Sequence, residues 1–239
     1  MTLSFTGLRA RLLLLALLAV VPAFGLIVYF TVTLQRQATD DVKDDAGHVA
    51  QLVVAKEDEL VAATRLLLIG IAHIPSVVTA DAHTCSRVLA ELRRPYHYYL
   101  NFGVIGLNGA VRCSALPLPG PVNLADRTYF RRAVTSLDLG VGDYQRGRIT
   151  GAESINFGYP VVDGRGKVAG VVFAALDLSW VRQLTEGVDL PSGSAVTVTD
   201  ANGTILVRYP GNLRWSGESI AGTDLQAAIR ANDKGGTAT

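Results

Sequence analysis

Several of the commonest catalytic signatures are missing from this chain. It has no HExxH zinc helix, no GxSxG nucleophile elbow, no Walker phosphate loop and no CxxC pair. Its four histidines, His48, His73, His83 and His97, show no spacing that would place two on one metal. Net charge is only +1, so the broad basic surface of a nucleic-acid-binding protein is absent. Cysteine is scarce: Cys85 and Cys113 are the only two. Two thiols 28 residues apart fit either a bridge in an oxidising compartment or two buried free thiols. Neither catalysis nor a cofactor is expected of this chain.

Charge is also absent, locally, from residues 12–30 (LLLLALLAVVPAFGLIVYF). As a helix this run would extend roughly 28 Å, close to the hydrocarbon thickness of a bilayer. Arg9 and Arg11 precede it, so residues 1–11 are expected on the cytoplasmic side, residues 12–34 in the membrane and the remaining 200 or so outside. A cleaved signal peptide is the competing reading, but its apolar stretch would be shorter and end in an A-x-A-like site. Beyond the anchor, a 49% hydrophobic and 18% charged composition describes an ordinary folded region, large enough for one sizeable core or two small ones.

Helical periodicity runs from residue 37 to residue 75, through Ala38, Val42, Ala46, Val49, Val53, Leu60, Ala63, Leu67, Ile71 and Ile74, and Pro75 ends it. The run predicts a stalk helix whose narrow apolar stripe packs either on its own domain or on a parallel partner helix. Its acidic group, Asp40, Asp41, Asp44 and Asp45, reads as a solvated face rather than a carboxylate site. A second helix is expected over residues 85–93. Hairpin signals follow: strands flank Asn108-Gly109, and Asn-Gly supplies the positive φ angles of a tight turn. Asp126 has the character of an N-cap for a helix over residues 127–136.

Strands are then expected over residues 142–149, 154–162 and 167–178. The stretch from Val168 to Leu176 is apolar on both faces, as a central covered strand requires. A helix over residues 178–186 leads to a second hairpin around Asn202-Gly203, 94 residues after the first, and a last helix covers residues 224–231. This recurrence suggests a duplicated module, although Asn-Gly hairpins are common enough to coincide. The fold class is therefore α+β: an anchor, a stalk, a first module over residues 76–187, and a second over residues 188–239. No central strand pair follows the second hairpin, so the chain is expected to be a piece of something longer or an unusually truncated variant.

Polar and aromatic residues between 126 and 177 are dense enough for a pocket: Arg127, Tyr129, Phe130, Tyr144, Arg146, Ser154, Asn156, Tyr159 and Asp177. Aromatic walls with a few polar groups suit a small molecule, and the planar fork of Arg127 suits a carboxylate. The same aromatics would also serve as plain core.

The order of anchor, stalk, Tyr99-Leu100-Asn101-Phe102-Gly103-Val104, Cys113-Ser114, Asp126-Arg127-Thr128-Tyr129-Phe130, Gly158-Tyr159-Pro160-Val161, Gly170-Val171-Val172 and Leu176-Asp177-Leu178 resembles a double Cache sensor domain. That resemblance covers residues 37–239. It implies two PAS-like modules on a long N-terminal helix, a ligand pocket in the membrane-distal one, and a second transmembrane helix leading to a cytoplasmic histidine kinase, diguanylate cyclase or chemoreceptor output. Arg127, Tyr129 and Phe130 fall on the Arg-x-Trp-Tyr element of the amino-acid-binding members, with Tyr144 in place of the later Tyr and Asp177 in place of the Asp. Two departures count against an amino acid, since Val122 replaces the upstream Tyr and Tyr-Phe replaces Trp-Tyr; the expected ligand is a small polar or carboxylate metabolite, a carboxylate being held by Arg127. The expected protein is a membrane-bound, periplasmic sensor that dimerises through its stalk. A membrane-tethered secreted enzyme and an interaction module without a ligand are the alternatives.

Overall fold

The computed structural model describes residues 24–26, 29–30, 55–185, 190, 194–211 and 215–231. Most of the expected anchor and residues 37–54 of the expected stalk lie outside these. Among the described residues no helix is long and apolar enough to cross a membrane. The chain divides into two compact units, residues 1–48 and 49–239, and every helix and strand from residue 55 onward belongs to the second.

Helix α1 is described over residues 55–72 and stops just before Pro75. The proline does not merely end it: fixed near a helical φ and lacking a donor, it opens the one-turn helix α2 (Pro75–Val78) at its first position. Helix α3 (Ala82–Arg93) starts three residues before the expected position because Asp81 caps it, its Oδ1 accepting from the amides of His83 and Thr84, both at 3.0 Å. Then come β1 (Tyr99–Gly106), β2 (Val111–Ser114), α4 (Thr128–Ser136), β3 (Gly140–Val141), β4 (Gln145–Arg146), β5 (Glu153–Val162), β6 (Val168–Asp177), α5 (Leu178–Thr185), β7 (Val196–Thr199), β8 (Ile205–Tyr209) and α6 (Asp224–Ala231).

Strands β1 to β6 form one antiparallel sheet in the order β2-β1-β6-β5-β3, with β4 also paired to β5. Central β6 is covered on both faces, which is why its sequence is apolar without alternation. One face carries Val172, Ala174 and Leu176, with Phe102, Val104, Phe157 and Val161 from its neighbours, under Leu68 and Ile71 of α1, Val77 of α2 and Leu89 of α3. The other carries Val171 and Phe173, with Ile105, under Tyr129, Phe130 and Ala133 of α4 and Leu124 of the preceding loop. Cys85 of α3 is bonded to Cys113 of β2, with Cα atoms 6.0 Å apart, so of the two sequence readings the bridge is the one formed. Helix α1 is held by Arg65, which donates to both carboxylate oxygens of Asp138 at 2.5 and 2.7 Å, and by a buried contact between the hydroxyls of Thr64 and Tyr99.

Two local expectations need correction. Asp126 does not cap α4. The helix starts one residue later with Arg127 at the N-cap and no side-chain cap bond, because the Asp126 carboxylate is engaged by Arg148 at 2.6 and 2.8 Å. Of the strand expected over residues 142–149 only the two-residue β4 forms, and the two-residue β3 lies just before that range. A tight turn closes behind β4, with Gly147 N to Ala152 O and Gly151 N to Gly147 O each 2.9 Å, and Gly151 takes a φ of +68° that leaves the strand.

The hairpin recurrence extends to the register. Val104 faces Cys113 and Ile105 faces Val111 across a bulge; 94 positions on, Val198 faces Val207 and Thr199 faces Ile205 across a bulge at the same place. Each turn has a glycine in the left-handed region, Gly109 at φ +81° and Gly203 at φ +82°. Each is strapped by a returning segment: Leu124 N donates to Gly109 O at 2.7 Å, and Ile220 N to Gly203 O at 2.8 Å. This agreement in register, bulge and strap favours duplication over coincidence.

Joining residues 28 apart should stabilise the fold by about 3.5 kcal/mol through the unfolded chain's lost freedom. A double Cys85→Ser, Cys113→Ser variant is expected to lose about that amount in urea unfolding; an unchanged midpoint would mean that the bridge is not formed in solution.

Candidate functional site

The candidate site lies on the α4 face of the large sheet, toward the end of β5 that starts at Glu153. Register assigns its members. Ser154 faces Asp177, and Asn156 faces Ala175, which in turn faces Asn101. Directly opposed residues in an antiparallel pair share a face, so Ser154, Asn156 and Asp177 share one. Gly158 is next along β5 on that face, and a Cβ there would lie 3.0 Å from Tyr129 O and 3.2 Å from its ring. Tyr129 of α4 therefore packs directly on this part of the sheet, its ring centroid 6.2 Å from that of Phe173. A Cβ at Gly142 would also press on the Tyr129 ring, at 3.2 Å. Two side-chain-free positions make the seat of this tyrosine.

Four polar atoms of this region are buried without a hydrogen-bond partner: Arg127 Nε, Tyr129 OH, Ser154 Oγ and Asn156 Oδ1. Asp143 Oδ1 is also buried and lacks a hydrogen bond, but its carboxylate lies 3.1 Å from Arg132 Nη2 in an ion pair. Burial pushes the Tyr129 hydroxyl up to about 12, while the Asn156 side chain and the Arg127 charge pull the other way. Both groups are thus close enough to act on the phenol, although Asn156 completes no well-formed bond with it. Each unsatisfied buried group costs about 1–3 kcal/mol, so native proteins keep them few. Four on one face form a set with three donors, one of them cationic, and acceptor capacity at Asn156 and the two hydroxyls.

Arg127 is anchored rather than loose. Its Nη2 donates to Arg146 O at 3.3 Å, leaving Nε for another acceptor. The loop before it is clasped by Arg148, which pairs with Asp126 and donates to Asn123 O at 2.7 Å. This pairing holds the Asp126 carboxyl below its usual range.

The nine sequence-predicted residues do not all converge. Arg127, Tyr129 and Asn156 come together, and Ser154 is the next residue to Asn156 on the same face of β5. Phe130 is buried in the apolar cluster beneath α4. Asp177 shares the face of Ser154, and its Oδ1 accepts from Ser179 N at 2.8 Å, holding the start of α5. Tyr159 has the opposite parity on β5 and packs with Phe157 and Val161 against the α1 side. Tyr144 leaves the set: its ring packs with Leu178, Leu206 and Val207, and burial followed by Glu153 raises its hydroxyl pKa. Arg146 is exposed and donates from Nε to Gly151 O at 2.8 Å. Between them Gln145, buried and opposite Ser154, faces the site instead. Alternation about Ser154 is the sequence signal that would have found it. Among the described residues, no group of three or more His, Cys, Asp or Glu is arranged to hold a metal ion.

No family model matches the chain, and no curated relative does. Solved structures do. The sensor domain of the Vibrio cholerae histidine kinase DctB is 18% identical, with a TM-score of 0.59 over 83% of this chain and 78% of that one. The ligand-binding domain of the Campylobacter jejuni chemoreceptor Tlp3, solved with L-valine, is 18% identical, with a TM-score of 0.60 over 84% and 82%. That of the Pseudomonas aeruginosa amino-acid chemoreceptor PctC, solved with GABA, is 17% identical, with a TM-score of 0.60 over 83% and 86%. At these identities the likeness is one of fold: the chain has the fold of Cache-type sensor domains.

Raised tyrosine pKa values have a stability consequence. Tyr99 and Tyr129 both stand at about 12 when folded, against about 10 when exposed. Their contribution is full below pH 10 and is lost as pH rises from about 10 toward 12, because the unfolded chain gives up these protons first. Thermal melts from pH 8 to 11.5 should show an alkaline decline that is shallower in Tyr129→Phe than in the parent protein. Equal slopes would mean that the Tyr129 hydroxyl is not held protonated by burial.

Proposed function

We propose that this chain is the extracytoplasmic sensor region of a transmembrane receptor of histidine kinase, diguanylate cyclase or chemoreceptor type, and that its first module binds a small polar metabolite carrying a carboxylate. The observation that carries this reading is the set of four unpartnered buried polar atoms, Arg127 Nε, Tyr129 OH, Ser154 Oγ and Asn156 Oδ1. A carboxylate would accept from the guanidinium and the hydroxyls and relieve their desolvation, and a donor on the same ligand would meet Asn156 Oδ1. Gln145 and Asp177 border the site, and Phe173 backs Tyr129 from the sheet.

Several further parts of the reading rest on sequence pattern. Residues 12–34 are the membrane anchor and residues 1–11 are cytoplasmic. The stalk over residues 37–75 pairs with that of a second copy, and the modules divide near residue 187. The chain itself is not an enzyme; any kinase or cyclase activity belongs to an output domain across the membrane. Support for the extracytoplasmic address comes from the disulfide between Cys85 and Cys113 and from the fold's likeness to sensor domains, one of them an extracellular domain. A ligand signals only insofar as it binds one arrangement of the protein better than another.

The test is a thermal-shift screen of the purified chain with L-valine, GABA, succinate and acetate, repeated on Arg127→Ala. A ligand at a hundredfold excess over its dissociation constant adds about 2.7 kcal/mol, which for a domain of this size is roughly 5–10 °C. At least one carboxylate should raise the midpoint of the parent protein by that order and leave Arg127→Ala unmoved. A full rise in the variant would remove Arg127 from the site, and no rise with any carboxylate would remove the proposed ligand class.

A further inference from the structure

The two hairpins share their register, and one of the positions at which they differ changes how the turn is held. Gly106 ends β1 at the first turn, and its counterpart 94 residues on is Asp200. In the first turn Asn108 Oδ1 takes one amide, that of Ala110, at 3.1 Å. In the second, Asp200 Oδ1 accepts from the amides of Asn202 and Thr204, both at 2.9 Å, and so closes the turn. That leaves its other oxygen, and Oδ2 accepts from the backbone amide of Tyr144 at 3.0 Å. Tyr144 belongs to the large-sheet module, two residues before the carbonyl of Arg146 that receives Arg127 Nη2. Gln145, between the two, is the residue opposite Ser154. The side chain of Tyr144 reinforces the join, because it packs on Leu206 and Val207 of β8 and a Cβ at Gly217 would lie 2.9 Å from its hydroxyl.

We propose that Asp200 couples the Arg127 site to the second hairpin, through one carboxylate that both closes the β7–β8 turn and holds the backbone of the segment against which Arg127 is anchored. The link rests on the ligand reading above only for its trigger. A ligand that draws the guanidinium of Arg127 toward itself pulls on Arg146 O, and residues 144–146 carry the displacement to Asp200 over three residues of chain. This route does not pass through the stalk helix. It is reciprocal, since any free-energy coupling between two sites acts in both directions.

Hydrogen exchange on the full chain in detergent micelles tests it without any ligand. Arg127→Ala removes the anchor at Arg146 and should speed exchange in peptides spanning residues 143–146 and also in those spanning 200–205, by roughly three- to tenfold, the scale of one lost hydrogen bond. Asp200→Asn keeps an acceptor for the turn amides but turns a donor toward Tyr144 N. Its own turn should stay near the parent rate while exchange rises over residues 127–131 and 143–146. The proposal is overturned if Arg127→Ala leaves residues 200–205 at the parent rate, or if Asp200→Asn disturbs only its own turn. Should Asp200→Asn fail to fold, judged by near-ultraviolet circular dichroism, the Arg127→Ala result decides alone. Exchange coupling together with a blank ligand screen would remove the ligand reading and leave the link standing; the reverse pairing would remove the link and keep the ligand.

Discussion

Everything assigned to a face in this protein depends on the antiparallel register of β6 between β1 and β5. Because Val171 and Phe173 point one way and Val172, Ala174 and Leu176 the other, the sheet is buried twice: by α1 to α3 on one side and by α4 on the other. A slip of one residue would exchange the two sets. The same slip in β5 would place Ser154 and Asn156 under the apolar α1 side and Phe157 and Tyr159 on the α4 side. Bulk resists such a slip, since Gly158 and Gly103, the β5 and β1 partners of Phe173, leave no room for side chains there. A Cβ at Gly103 would lie 2.3 Å from the Phe173 ring.

The same register explains why much of this structure is legible in the sequence and part of it is not. Long elements with strong patterns are legible: the doubly apolar β6, both Asn-Gly hairpins, α4 and α6. The two-residue strands are not, because a turn rather than propensity places them. Once Gly147 to Ala152 closes behind β4, Gln145 must face Ser154, and Tyr144 and Arg146 must face away. Their aromatic and cationic character suits a binding site, but geometry gives the position to the plainer residue between. Tyr159 fails for a reason visible in the sequence, since it is an odd number of residues from both Ser154 and Asn156 on one strand. Asp126 has the composition of a cap, but composition cannot reveal a competing partner 22 residues away; Arg148 offers two charge-assisted bonds where the helix amides offer weaker ones.

Legibility was best where function and fold ask for the same residue. Tyr129 supplies an aromatic mass for the α4 core and a hydroxyl for the site, so it is fixed by packing against Gly142, Gly158 and Phe173 before any ligand arrives. Arg127 is held similarly by Arg146 O. A site whose donors are preorganised gives up little ordering entropy on binding, and the desolvation of its polar atoms is already part of the free protein's energy. The unpartnered atoms are therefore a store on which a ligand can draw.

The size of that store limits what a bound ligand could do with it. At about 1–3 kcal/mol for each unsatisfied group, four groups represent roughly 4–12 kcal/mol if the ligand satisfies them all. Moving a two-state equilibrium from 1:99 to 99:1 takes about 5.5 kcal/mol of difference between the states. Satisfaction alone does not signal, however, because bonds made equally well in both states shift nothing. Arg127 differs from the other three in this respect. Ser154 and Asn156 are set in β5, and Tyr129 is wedged over two glycines, so none can follow a ligand far. Arg127 alone holds a second bond, to a carbonyl on a two-residue strand whose other side is fastened to the next hairpin. If one of the four contacts distinguishes the two states, the architecture favours this one, and the three rigid groups are then left to set affinity.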